Sequence, residues 1–233
     1  SLEPKALDKE VDFILSNVNT YLSKKVTRKD VRSIFAGLRP LAAPKEKSKK
    51  TKEISRGHKI VSSDSGLISV IGGKWTTYRK MAQDTIDFAI KARMLQKKKC
   101  VTKNLKIHGA NEIHNLNNHL SVYGSDQEEI NKLIQENIEL SEKIHFNANY
   151  LKAEVVWAAR YEMARTVEDF LARRIRILFL DARIAIESAP VVAELLAKEL
   201  NKDQDWKLEQ IQNFNNTASN YLLDKANVPK IYF

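Results

Sequence analysis

Cysteine is nearly absent. Cys100 is the only one in 233 residues, so neither an internal disulfide nor a cysteine-rich zinc cluster can form. Seven glycines and five prolines exclude a collagen-like or proline-rich chain. No apolar run approaches the roughly 20 residues that span a bilayer, and no secretory signal pattern opens the chain. Histidine is sparse too. His58 and His108 stand alone, and His114 and His119 are five apart, which puts them on poorly matched helix faces. No acidic residue completes a metal-ligand spacing, so no metal site is expected. The Gly-x-Gly-x-x-Gly dinucleotide fingerprint occurs nowhere in the chain.

What is present is positive charge. Thirty-nine Lys and Arg stand against 29 Asp and Glu, giving +10. That balance suits an anionic partner: nucleic acid, a membrane surface or a phosphorylated metabolite. Much of the excess lies in Lys45 to Lys59, KEKSKKTKEISRGHK. It carries no aromatic residue for base stacking, so it reads as a solvated loop rather than a nucleic-acid site.

The periodicity changes along the chain. Leu7, Val11, Ile14, Leu15, Val18 and Leu22 recur every three or four residues and predict a helix after Pro4. Val31 to Leu41, VRSIFAGLRPL, reads as a short strand or extended segment ended by Pro40. His58 to Val61 and Leu67 to Ile71 read as strands around an Asp64-Ser65-Gly66 turn. Thr76 to Leu95 is helical, with Tyr78, Met81, Ala82, Thr85, Ile86, Ala89 and Ile90 inward. After Cys100 the pattern is helical: near Leu116, from a Ser125–Glu128 capping box to Glu136, Lys152 to Ala164, Phe170 to Leu180 after a second box at Thr166–Asp169, Asp181 to Leu200 with Pro190 in a first turn or bend, and Trp206 to Leu223. The fold class expected is α+β: a small, partial mixed sheet, then an all-α domain. The division falls at residues 1–98 and 99–233.

Gly66 to Lys80, GLISVIGGKWTTYRK, runs strand, Gly72-Gly73, helix. Glycines admit close backbone approach, and a helix start offers unpaired amides and a positive dipole end. Lys74 adds a charge there. The stretch serves either as a ligand cradle or as a plain strand-to-helix turn, with Thr76 and Thr77 as caps. Arg39, before Pro40, suits a phosphate or carboxylate or a strand-end salt bridge. Arg56 is either a third cation on the same ligand or a surface arginine. Intrahelical pairing is expected of Glu162 with Arg165, and of Glu168 and Asp169 with Arg173. Trp157, Phe170 and Phe179 read as core. Cys100, after three lysines, reads as a thiol shifted toward thiolate with no catalytic partner.

These stretches together resemble one family. IFAGLRPL (Ile34 to Leu41), ISR (Ile54 to Arg56), Ser65 to Asp87 and Glu154 to Leu200 look like the C-terminal part of an FAD-dependent glycerol-3-phosphate dehydrogenase, or of the related glycerol-3-phosphate oxidase. The resemblance implies an FAD domain and a substrate domain whose last pieces are residues 1–98, followed by the helical domain. It implies FAD as cofactor and hydride transfer from C2 of glycerol 3-phosphate to flavin N5, giving dihydroxyacetone phosphate, with quinone or oxygen as acceptor. It implies that Arg39, Arg56 and Lys74 bind substrate, that Lys74 is catalytic, and that Gly72, Gly73, Lys74, Thr76 and Thr77 line the flavin. Where the family often has Asp after the second arginine, this chain has Gly57. The chain alone, without the pyrophosphate cradle of a missing N-terminal FAD domain, is expected to be inactive and to bind FAD feebly. The expected location is the cytoplasm, with peripheral contact at the inner face of the cell membrane. The competing reading is a non-enzymatic basic helical module that binds a protein or an anionic membrane.

Overall fold

The computed structural model describes residues 4–38, 57–92, 94–110 and 118–224. The chain divides into two compact units, Ser1–Gly37 with Gly109–Phe233, and Leu38–His108.

The first unit is helical. α1 spans Asp8–Val18 and a 3-10 turn Arg28–Asp30; after Gly109 come a 3-10 stretch His119–Asp126, α3 at Gln127–Glu136, and α4 at Lys152–Tyr161. α5 (Ile177–Leu180), α6 (Ala182–Leu200) and α7 (Gln204–Ala218) complete it, with a last 3-10 turn at Ser219–Tyr221. The core is Phe170, Leu171, Leu178, Ile186, Val192, Leu196 and Phe214, all fully buried. Each such side chain contributes about 1.5–3 kcal/mol by leaving water. α6 runs through this core and packs on α4 and α7. Its small residues Ala185, Ala189, Ala193 and Ala197, four apart and buried, let neighbouring helices approach. Asp181 caps it, accepting from the amides of Arg183 and Ile184, each at 3.2 Å. Pro190 lies inside α6 rather than in a first turn.

Several elements differ from the sequence reading. α1 forms, but only Val11 of its apolar stripe is buried, while Leu7, Ile14, Val18 and Leu22 stay exposed, because the described neighbours cover one edge of the helix only. The helix expected to Ala164 stops at Tyr161, and Met163 follows at φ 58°. The helix expected over 170–180 is a π-turn, Asp169–Arg174, broken from α5 by Arg176 at φ 60°. The capping box at Thr166 is present: Thr166 Oγ1 accepts from the Asp169 amide and Asp169 Oδ2 from the Thr166 amide, both at 3.0 Å. The one at Ser125 is not, since α3 starts after Asp126 with no side-chain cap. The helix expected near Leu116 lies outside the described residues.

Val31 to Leu38 is extended but belongs to no ladder. Two of its backbone groups bond to helix ends instead. The Ile34 amide donates to Tyr221 O at 2.8 Å, and the Ala182 amide donates to Arg32 O at 3.2 Å.

The second unit holds the sheet remnant. β1 (His58–Ser62) and β2 (Ile68–Gly72) pair antiparallel, with His58 opposite Gly72 and Ser62 opposite Ile68. The turn closes where expected, the Gly66 amide reaching Ser63 O at 3.0 Å. α2, at Tyr78–Lys91, packs on both strands. Ala89 is buried and Met81, Thr85 and Ile90 half-buried, whereas Tyr78, Ala82 and Ile86 of the expected inner face are exposed. Two strands and one helix have too little surface to cover a whole helix face.

Candidate functional site at the head of the second helix

β2 ends in a backbone that only glycine adopts freely. Gly72 has φ 77° and Gly73 φ 90°. A Cβ on Gly73 would lie 2.5 Å from Met81 Sδ and 3.3 Å from His58 Cβ. The φ of 90° thus favours glycine whatever approaches from outside, while Met81 Sδ, near the end of a flexible side chain, can shift. Lys74 follows in extended conformation, and a 3-10 turn, Trp75–Thr77, leads into α2. The Lys74 carbonyl closes that turn, accepting from the Thr77 amide at 3.0 Å and from Thr77 Oγ1 at 2.9 Å. The Lys74 side chain is exposed and has no partner among the described residues.

Beside it the surface is aromatic. Trp75 is 86% exposed and stacks on exposed Tyr78, centroids 5.6 Å apart and planes 27° inclined. The turn is braced from within the unit. His58 Nε2 is 3.1 Å from Asp84 Oδ2, and Lys80 pairs with the other oxygen. Lys80's hydrogen bond, more than His58, holds the Asp84 carboxyl below the usual carboxylate range.

Lys74, Thr76 and Thr77 are exposed, with Gly72 and Gly73 half-buried beside them; together they offer an ammonium, a Thr76 hydroxyl and the backbone of a helix start. Such a donor set fits an electron-rich ring edge or an anion, and an exposed aromatic pair beside it fits a planar group. Arg39 and Arg56, the other two expected substrate cations, lie outside the described residues.

Cys100 is exposed. Its thiol is lowered first by hydrogen bonding to Thr102, 3.2 Å away, and only weakly by Arg79. The three preceding lysines, to which the sequence points, are not the cause. Among the arginines, Arg173 pairs with Glu168 at 2.6 Å and Asp169 at 3.2 Å as expected. Arg165 instead donates to the carbonyls of Ala159 and Ala164. Trp157 and Phe170 are core; Phe179 is half-buried at the edge.

One ionisable cluster was not anticipated. Glu154, on α4, is 1% exposed. Its carboxylate accepts from the Leu151 amide at 2.6 Å and from the Tyr123 hydroxyl at 2.8 Å, and it meets His119 Nε2 at 3.0 Å. That hydrogen bond raises the His119 pKa, while burial, reinforced by Glu154, drives the Tyr123 phenol far above its usual range. The signal available was a lone carboxylate in the apolar run AEVVWAA.

Residues 100–207 match the family model of the C-terminal domain of alpha-glycerophosphate oxidase. The chain is 34% identical over 240 residues to the mitochondrial glycerol-3-phosphate dehydrogenase SDP6 of Arabidopsis thaliana, covering 90% of this chain and 38% of that protein. It is 35% identical to a probable mitochondrial glycerol-3-phosphate dehydrogenase of Caenorhabditis elegans, over 92% of this chain and 33% of the relative. It therefore spans about a third of the length of the curated relatives it matches. The solved glycerol-3-phosphate dehydrogenase of Bacillus halodurans, complexed with FAD, shares the fold with a TM-score of 0.72 at 23% identity, over 98% of this chain and 47% of that one. The expectation of a cytoplasmic protein on the inner face of the cell membrane is corrected by these matches, whose curated members are named as mitochondrial. A residue pattern carries no compartment address unless the targeting segment is in view.

Proposed function

This chain belongs to the FAD-dependent glycerol-3-phosphate dehydrogenase family, as a stretch of its C-terminal part, and we propose that its parent oxidises sn-glycerol 3-phosphate to dihydroxyacetone phosphate. FAD accepts the hydride from C2 as the hydroxyl proton is lost, and quinone or oxygen then takes the electrons. The observation that carries the reading is the left-handed Gly72-Gly73 turn that presents Lys74, without a partner among the described residues, at the head of α2.

In this reading Gly72, Gly73, Thr76 and Thr77 line the flavin edge. Lys74 holds positive charge where negative charge accumulates as the hydride leaves C2, and such fixed charge stabilises the transition state without reorganisation. Arg56 binds the substrate phosphate, since a planar guanidinium fixes a dianion by paired hydrogen bonds, and Arg39 binds on the substrate side of the pocket and helps to orient C2. The unit Leu38–His108 is read as the last pieces of the FAD and substrate domains and the helical unit, which takes in Ser1–Gly37 as well as Gly109–Phe233, as the helical domain; the division expected at residue 98 does not follow these units. In this reading a part of the parent outside this chain supplies the pyrophosphate cradle, so this chain alone is inactive.

The test is a comparison of the full-length parent with the 233-residue chain. The parent should carry a visible flavin spectrum, reduce a dye with glycerol 3-phosphate and yield dihydroxyacetone phosphate. The short chain should do none of these. No substrate-dependent dye reduction by a flavin-loaded parent would end the reading, and tight stoichiometric FAD uptake by the short chain would remove the claim of a missing cradle.

A further inference from the structure

A polar cavity of about 710 Å³ lies within the helical unit, between the end of the Arg28–Asp30 turn, the first turns of α6 and Asn147. Its volume is in the range of small-molecule sites. The Ala182 amide donates to Arg32 O at 3.2 Å, which seats the 29–32 stretch on the start of α6. Lys29, Arg32 and Arg183 line the cavity.

These cations are short of partners. Arg28, next in the chain, is paired with Asp8 and Asp12. Lys29 has no such partner among the described residues. Arg32 reaches only Asp181, at 3.7 Å, beyond hydrogen-bond length. The Arg183 guanidinium makes no hydrogen bond or ion pair among the described residues, and its Nε is buried. A buried donor left unpaired costs its full desolvation, and in folded proteins such a group is met by some partner.

The carboxylates at the cavity are each half committed elsewhere. Asp181 Oδ1 caps α6, accepting from the Arg183 and Ile184 amides. Asp30 Oδ2 accepts from the Thr27 amide at 2.7 Å and its hydroxyl at 2.8 Å. Glu187 Oε2 accepts from His145 Nε2 at 2.8 Å, the ring's Nδ1 accepting from the Asn147 amide at 3.1 Å. Each carboxylate keeps one oxygen with no hydrogen bond among the described residues. The lining thus offers a guanidinium fork that suits an oxyanion, and beside it acceptors that repel a bare anion but take hydrogen bonds from a ligand's hydroxyls.

We propose that this cavity binds a small phosphate that carries hydroxyls of its own, hydrogen phosphate or the monoester of a polyol. Arg183 and Arg32 hold the phosphate oxygens and Lys29 adds charge. Asp30, Asp181 and Glu187 accept from the ligand's hydroxyls. The bound ligand ties the 29–32 stretch to α6. The site uses none of the residues assigned to substrate and stands independently of that assignment.

The experiment titrates the 233-residue chain with sodium phosphate and with glycerol 2-phosphate by calorimetry at constant ionic strength, with Arg183→Gln, Arg32→Gln and Arg56→Gln beside wild type. Both ligands should bind saturably. Arg183→Gln should weaken them about tenfold, the loss of a charge-assisted hydrogen bond, and Arg56→Gln should leave this binding unchanged. Sulfate, which carries no proton to give the carboxylates, should bind about tenfold more weakly than phosphate. Sedimentation with phosphatidylinositol-phosphate vesicles identifies the source: pelleting lost in Arg183→Gln assigns a lipid headgroup, and no pelleting assigns a soluble phosphate. Absence of saturable binding overturns the site. So does binding that Arg56→Gln abolishes and Arg183→Gln leaves intact. Sulfate binding as tight as phosphate overturns the assignment to a hydroxyl-bearing ligand. Should Arg183→Gln not fold, Arg32→Gln, whose side chain is 74% exposed, decides by the same loss of affinity.

Discussion

His119 Nε2 lies 3.0 Å from Glu154 Oε2, and the carboxylate between them and Tyr123 is 1% exposed. A buried carboxylate persists only when its oxygens are fully hydrogen-bonded. Here the Leu151 amide, the Tyr123 hydroxyl and the His119 ring share that task. The result ties the 119–126 turn to α4 through a polar contact inside an otherwise apolar interface of Leu120, Ile130, Leu133, Val156 and Trp157.

Replacing His119 by Ala leaves the carboxylate buried with one partner fewer. The 233-residue chain should lose about 1–3 kcal/mol, read as a lower urea midpoint of the helical signal. An unchanged midpoint would mean that water or another side chain replaces the imidazole without loss.

The same pair sets a pH dependence. The His119 pKa is raised above its ordinary 6.5. Its contribution is complete below 6.5, and it declines as pH rises through the elevated folded value. Wild-type stability should therefore fall on the alkaline side of 6.5 by a component that His119→Gln lacks. Asp84 runs the other way. Its pKa lies below the ordinary 3.8, so its contribution is present above 3.8 and is lost as pH drops through the folded value. Urea midpoints across pH for wild type, His119→Gln and Asp84→Asn separate the two.

Gly73→Ala should damage the turn before any ligand is considered. Its Cβ would press on Met81 Sδ at 2.5 Å with φ at 90°, and forcing a side chain into that region costs about 1–3 kcal/mol. Thermal melts of the short chain should show a loss in the β1–β2–α2 unit. A companion Met81→Ala should recover part of it by clearing the contact, though not the dihedral strain.

Lys74→Gln in the parent should lower kcat by about 10²–10³-fold while leaving melting behaviour near wild type, because the ammonium has no partner among the described residues to lose. Rapid-mixing flavin reduction by glycerol 3-phosphate measures this directly. A wild-type reduction rate would remove Lys74 from the proposed chemistry.

Much of the architecture was legible as pattern. Periods of two and of 3.6 residues located β1, β2, α2, α6 and α7 because they record which side chains face inward. The Asp64-Ser65-Gly66 turn and the Thr166–Asp169 box were readable because their bonds join near neighbours. The Gly72-Gly73-Lys74 turn was readable as a backbone break with a charge attached. What misled was continuity. The pattern gave no sign that Met163 and Arg176 would adopt left-handed backbone, since an apolar stripe runs on past both.

By itself the sequence determined many of the local elements and the family, since both reside in side-chain order along the chain. Tertiary structure alone decided that Ser33 would bond Leu178, that Phe35 would meet Phe179, and that Glu154 would be buried against His119. Those partners lie 35 to 145 residues apart. No local periodicity encodes such a meeting, because it is settled only when whole helices pack and each buried polar group must find a donor or acceptor that the fold has brought within reach.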